Sequence, residues 1–132
     1  VALLEKRLDM DSHFCDGVLI TRLHILTSGN CLSTSYQGHE DRRIENIFAA
    51  ISPDPNGYGL VSYPIRSYEY PRNTQYQAAL LMVPRDPVPL GKNIRLLCLP
   101  PSIHFQLPNN STTIVTWKKD KKGKTLQMNI KT

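Results

Sequence analysis

Short apolar runs broken by turn-forming residues set the rhythm of the chain. Val1–Arg7 opens apolar and predicts a strand, with Asp9, Asp11 and Ser12 as the turn behind it. His13–Thr21 and Leu23–Thr27 predict two more strands, with Arg22 near a tight connection, and Ser28–Leu32 reads as a short turn or helical loop. Arg43–Ser52 is strand-like: Ile44, Ile47 and Phe48 are apolar with charges between them. Pro53-Asp54-Pro55-Asn56-Gly57 is a strong turn, because Asn-Gly supplies positive φ and two prolines remove ladder donors. Leu60–Tyr70 alternates Val61, Tyr63 and Ile65 with polar neighbours. Ala78–Val83 is apolar throughout and predicts a buried strand, closed by the prolines of Pro84–Pro89. Ile94–Leu99 reads as extended, and Thr113–Trp117 and Thr125–Ile130 as the last two strands. Strands at intervals of roughly 8–12 residues predict an all-β closed barrel or sandwich. There is no internal repeat and no long helical period.

Composition agrees with this pattern. A chain of 132 residues holds one modest domain with its own core. Ten prolines and seven glycines favour short strands joined by many turns. No apolar window reaches the roughly 18 residues that a membrane-spanning helix needs. Val1-Ala2-Leu3-Leu4 is cut short at once by Glu5-Lys6-Arg7, so no secretion leader is expected within the chain. The absence of an initial methionine fits a processed or excised piece.

Charge is distributed unevenly. Residues 1–117 carry ten Lys/Arg and ten Asp/Glu, which cancel, and residues 118–132 carry six lysines and one aspartate, the whole net charge of +5. Lys118, Lys119, Lys121, Lys122 and Lys124 therefore read either as a solvated hairpin turn around Gly123 or as a surface for an acidic polymer. A sulfated polysaccharide is the expected polymer. Nucleic acid is not expected, since Trp117 is the lone aromatic nearby.

Three cysteines leave one over. Cys15 and Cys31 fit a local bridge, and Cys98 is either paired with another segment or chain or is a buried free thiol. Overlapping sequons place acceptor asparagines at Asn109 and Asn110 in a polar loop beside Pro108. Sequons and a disulfide together favour an oxidising, extracellular setting. His13, His24, His39 and His104 have no zinc-ligand spacing, so neither a metal nor another cofactor is expected.

The segment Phe14-Cys15-Asp16-Gly17-Val18-Leu19-Ile20, followed by Leu26-Thr27-Ser28-Gly29-Asn30-Cys31, resembles the F-C-G-G-x-L-I … V-L-T-A-A-H-C signature of trypsin-like (chymotrypsin-fold) serine proteases. Val1-Ala2-Leu3-Leu4 is similar to that family's W-x-V-x-L, and Gln77-Ala78-Ala79-Leu80-Leu81 to D-I-A-L-L. Pro87-Val88-Pro89-Leu90 with Ile94-Arg95-Leu96-Leu97-Cys98-Leu99-Pro100 is similar to P-V-x-L … V-x-P-I-C-L-P. Ile114-Val115-Thr116-Trp117-Lys118 is similar to V-x-G-W-G with both glycines replaced, and Thr125-Leu126-Gln127 to T-L-Q. The order and spacing of these motifs hold across the chain.

The resemblance implies the N-terminal six-stranded antiparallel barrel of a trypsin-like serine protease domain plus the crossover into the second barrel. Residues 1–132 would be a partial domain, with 1–110 the first barrel and 111–132 the start of the second. It implies that a Cys15–Cys31 bridge clamps the loop that in the family bears the histidine. It also implies that Cys98 matches a cysteine bonded to an upstream chain or propeptide. The histidine position is Asn30 and the aspartate position is Gln77. The serine segment belongs to the second barrel, beyond Thr132, and the I-V-G-G start is also missing. A carboxamide has no basic nitrogen to take a proton from a serine hydroxyl. Asn30 and Gln77 either hydrogen-bond each other or changed independently. A carboxylate at Asp16, in place of the family's first glycine, is expected to perturb substrate approach. The expectation is a secreted, non-catalytic homologue, not an enzyme, with a binding or regulatory role in extracellular proteolysis. Its partner would be a protease, an inhibitor or an upstream chain held through Cys98. The alternatives are a fragment of a serine-type endopeptidase and a polyanion-binding module working through the lysine-rich tail.

Overall fold

The computed structural model describes residues 1–8, 10–32, 42–70, 79–99, 113–120 and 126–131. Eight strands are present among them: β1 (Ala2–Arg7), β2 (Met10–Thr21), β3 (His24–Ser28), β4 (Ile47–Ile51), β5 (Val61–Glu69), β6 (Ala79–Pro84), β7 (Ile114–Lys119) and β8 (Leu126–Lys131). The first six close into an antiparallel barrel in the order β1-β2-β3-β6-β5-β4, with β4 pairing back onto β1. That closure selects the barrel over the sandwich. Each barrel strand contributes to one core, through Leu3, Leu19, Ile25, Ile47, Ile65 and Met82.

β1 explains why its start is apolar without alternation. Leu3 points into the barrel, while Ala2 and Leu4 belong to a second buried cluster with Ala50 and Trp117. That cluster is the contact between the barrel wall and a two-stranded ribbon, β7–β8. The ribbon is fixed twice more. The Met128 amide donates to the Pro55 carbonyl at 2.7 Å, and the Trp117 amide to Asp16 Oδ1 at 3.2 Å. Gly57, with φ of 86°, lets the Pro53–Gly57 turn pass against β8, since a Cβ there would run into the Leu126 carbonyl.

Local propensity and tertiary pairing disagree in two places. Asp11 and Ser12 stand in β2, paired with Lys6 and Glu5, not in a turn. Continued ladder pairing to the Arg7–Met10 pair overrides their turn preference. The stretch Arg43–Ser52 begins as a single 3-10 turn, Ile44–Asn46, and becomes β4 only at Ile47. Ile94–Leu99 joins no named strand; Gly91 and Ile94 form an isolated bridge, and the Leu97 amide donates to the Leu19 carbonyl at 2.8 Å. A bulge in β2 opposite Leu3 and Leu4 brings both Phe14 and Cys15 against the core.

Candidate active site

β3 runs out at Ser28, and the chain turns. The Ser28 hydroxyl accepts from the Asn30 amide at 3.3 Å and caps a 3-10 turn, Gly29–Cys31. Gly29 and Cys31 are buried, so Asn30 stands exposed between two anchored neighbours. Cys31 is bonded to Cys15 of β2, with their Cα atoms 6.0 Å apart. Thr27 Oγ1 donates to the Asp16 carbonyl at 2.7 Å and lies 3.3 Å from Cys31 Sγ. The turn is thus sewn to β2 from its N-terminal side.

Arg42 holds the other side. Its Nε donates to the Cys31 carbonyl at 3.2 Å, and its Nη1 to Glu5 Oε2 at 2.9 Å. Its guanidinium carbon lies 4.2 Å from the centre of the Phe14 ring. Glu5 also accepts from Arg7 Nε at 2.7 Å. Burial pushes the Glu5 carboxyl up, but hydrogen bonds and charge from Arg7 and Arg42 outweigh it and hold the group below the usual carboxylate range.

The Asp16 carboxylate is engaged by β2 and the ribbon. Oδ1 accepts from the Trp117 amide and lies 2.9 Å from His13 Nε2. The carboxylate thus joins β2 to the ribbon. A cavity of about 340 Å³ opens at this junction, walled by Asp16, Leu19, Ile94, Leu97, Val115 and Trp117 among others. Asn30 is not part of its lining, so turn and cavity are separate places connected through β2.

Cys98 is a free and exposed thiol, so the buried-thiol reading does not hold. Lys118 and Lys119 are exposed on β7. Gln77, Asn109, Asn110, Lys121, Lys122 and Lys124, with His39 and His104, lie outside the described residues. Among the described residues no cluster of His, Cys, Asp or Glu is placed to hold a metal ion, and no helix is long and apolar enough to cross a membrane. Arg42 and Glu5 escaped the reading of the sequence because 37 residues separate them. A signal did exist: Glu5 shares the inward phase of β1 with Leu3, where a carboxylate needs a buried partner.

A closed six-stranded barrel whose disulfide clamps a turn at the end of β3 defines the trypsin-like class of protease domain. The family model described as trypsin matches residues 2–132, and the chain belongs to the trypsin family. Granzyme M of Rattus norvegicus is 33% identical over 92 residues, which cover 67% of this chain and 34% of the relative. The chain thus matches about a third of that relative's length.

The expectation that the chain is not an enzyme is corrected here. Its family match and its granzyme relative both point to a serine protease.

Proposed function

We propose that this chain is the first-barrel part of a secreted, trypsin-like serine endopeptidase and acts in extracellular proteolysis. Residues 1–110 form the first barrel in this reading, and 111–132 open the second. The observation that carries it is the trypsin family match over residues 2–132, on a closed barrel with the Cys15–Cys31 clamp. The disulfide and the sequons at Asn109 and Asn110 support an oxidising, extracellular setting and a glycosylated surface. Asn30 supplies no general base, a contribution of about 10²- to 10⁴-fold in rate, so slow turnover is expected of the whole protein. A second reading, a binding or regulatory role in the same setting, is favoured by the carboxamide at Asn30 and the exposed thiol of Cys98. The partner would be a protease, an inhibitor or an upstream chain. A sulfated polysaccharide is a further proposed partner, for the exposed lysines of β7.

The test is fluorophosphonate labelling of the full-length protein together with peptide turnover. Labelling with slow cleavage, raised by the paired changes Asn30→His and Gln77→Asp, supports the endopeptidase. A complete protein that neither labels nor cleaves overturns it in favour of the regulatory reading.

A further inference from the structure

We infer that Arg42 is the positioning residue of the Asn30 turn, setting the orientation of the Cys31–Leu32 peptide and thereby the direction in which position 30 faces a substrate. The inference rests on the endopeptidase reading for its catalytic consequence, but not for its structural content.

The Cys15–Cys31 bridge anchors the Cys31 side chain. It does not fix the peptide that follows, because a plane can rotate about its flanking bonds while Cβ and Sγ stay still. Hydrogen bonds to that plane must fix it. The Cys31 carbonyl accepts from Arg42 Nε, and the next carbonyl, Leu32, accepts from the Arg42 amide at 3.3 Å. One residue therefore holds two successive peptide planes at the exit of the turn. Asn30 itself is exposed, and its amide is held by Ser28 Oγ at the entry.

The side chain has to be arginine. Nε is used on Cys31, Nη1 on Glu5, and the flat face on Phe14. A planar fork can do all three at once, and a lysine ammonium cannot. Glu5 completes the device by orienting the guanidinium. Arg7 from the same strand and Arg42 face its carboxylate, while its ladder neighbours, Ser12 on β2 and Ile47 on β4, carry no charge. The turn, Ser28–Leu32, contains no titratable side chain apart from the bridged Cys31. Among the described residues, Arg42 is the link through which the state of Glu5 reaches the turn.

The experiment is amide hydrogen exchange on the full-length protein, comparing wild type, Arg42→Lys and Glu5→Gln, with peptide kinetics alongside. Arg42→Lys is expected to speed exchange at residues 29–32 by about tenfold while Ile25 and Leu26 in β3 keep their protection. Acidification is expected to loosen the same residues in wild type, after correction for intrinsic rates, and Glu5→Gln to be loose throughout and insensitive to that change. In kinetics, Arg42→Lys placed on an Asn30→His background, where position 30 carries a base, is expected to lower kcat by about 10- to 100-fold with KM nearly unchanged. Unchanged exchange at 29–32, or equal acceleration across the barrel, overturns the inference. If wild type shows no turnover, the endopeptidase reading fails alone, and the exchange data still decide the role of Arg42. Should Arg42→Lys fail to fold, the acid response and its absence in Glu5→Gln make the same decision.

Discussion

Gly17 shows what a single residue contributes to the site. A Cβ there would lie 2.8 Å from Ile25 Cγ2 and 3.1 Å from the Leu26 carbonyl, so only glycine lets β2 approach β3 this closely. Gly17→Ala is expected to cost about 1–3 kcal/mol through overpacking, read as a lower urea midpoint at unchanged slope. Glu5 makes a second prediction at this scale. Its carboxyl is held below the ordinary value of 4.5, so the folded state favours the charged form. Its contribution is present above the ordinary value and is lost as pH falls through the depressed one. Thermal unfolding followed down the acid range is expected to show this loss in wild type and to lack that part of the slope in Glu5→Gln. Gly17 was legible in the sequence, as the second glycine of the motif. Arg42 was not, because its partners are assembled by the fold from Glu5, Phe14 and Cys31.

At the scale of elements, the ribbon β7–β8 is the piece whose place depends most on few contacts. Trp117 is 5% exposed, packed on Ala2, Leu4 and Ala50, and its amide is tied to Asp16. Trp117→Ala is expected to cost about 3–5 kcal/mol. Limited proteolysis should then cut within residues 114–131 before any barrel strand, whereas simultaneous loss of both regions would mean that ribbon and barrel unfold as one unit. The sequence motif around Trp117 announced this strand, and its buried side chain accounts for the match even though Thr116 and Lys118 replace both motif glycines. Strand ends were less legible. Asp11 and Ser12 carry turn chemistry yet pair in β2, because register is set by the partner strand and not by local preference. Lys118 and Lys119 extend from the same ribbon into solvent. Salt-sensitive retention of the protein on heparin, lost on Lys118→Ala and Lys119→Ala, is the expected result for a polyanion surface. Retention unaffected by both changes would leave the lysines as a solvated face.

At the scale of the molecule, the barrel is closed, and several large apolar side chains outside its core are exposed. Leu97 and Leu99 are each 55% exposed, Ile114 57% and Ile130 59%, and they belong to the extended segment after the barrel and to the ribbon. The barrel core itself is buried, so these side chains are not needed to fold it. Leu97, with Val115, also lines the cavity. Exposed apolar side chains drive association in water where they join into a patch. A protein made of these 132 residues alone is therefore expected to self-associate, with an apparent mass in sedimentation that rises with concentration. Paired Leu97→Ser and Ile130→Ser changes should reduce that association without lowering the unfolding midpoint, because both side chains already meet solvent. Cys98, exposed within the same extended segment, adds a covalent route that reductant removes. Association that persists in reductant and falls with the serine changes belongs to the apolar surface, whereas association abolished by reductant alone belongs to the thiol. A monomer at every concentration would show that burial of the barrel core is enough, and that this surface makes no demand for a cover.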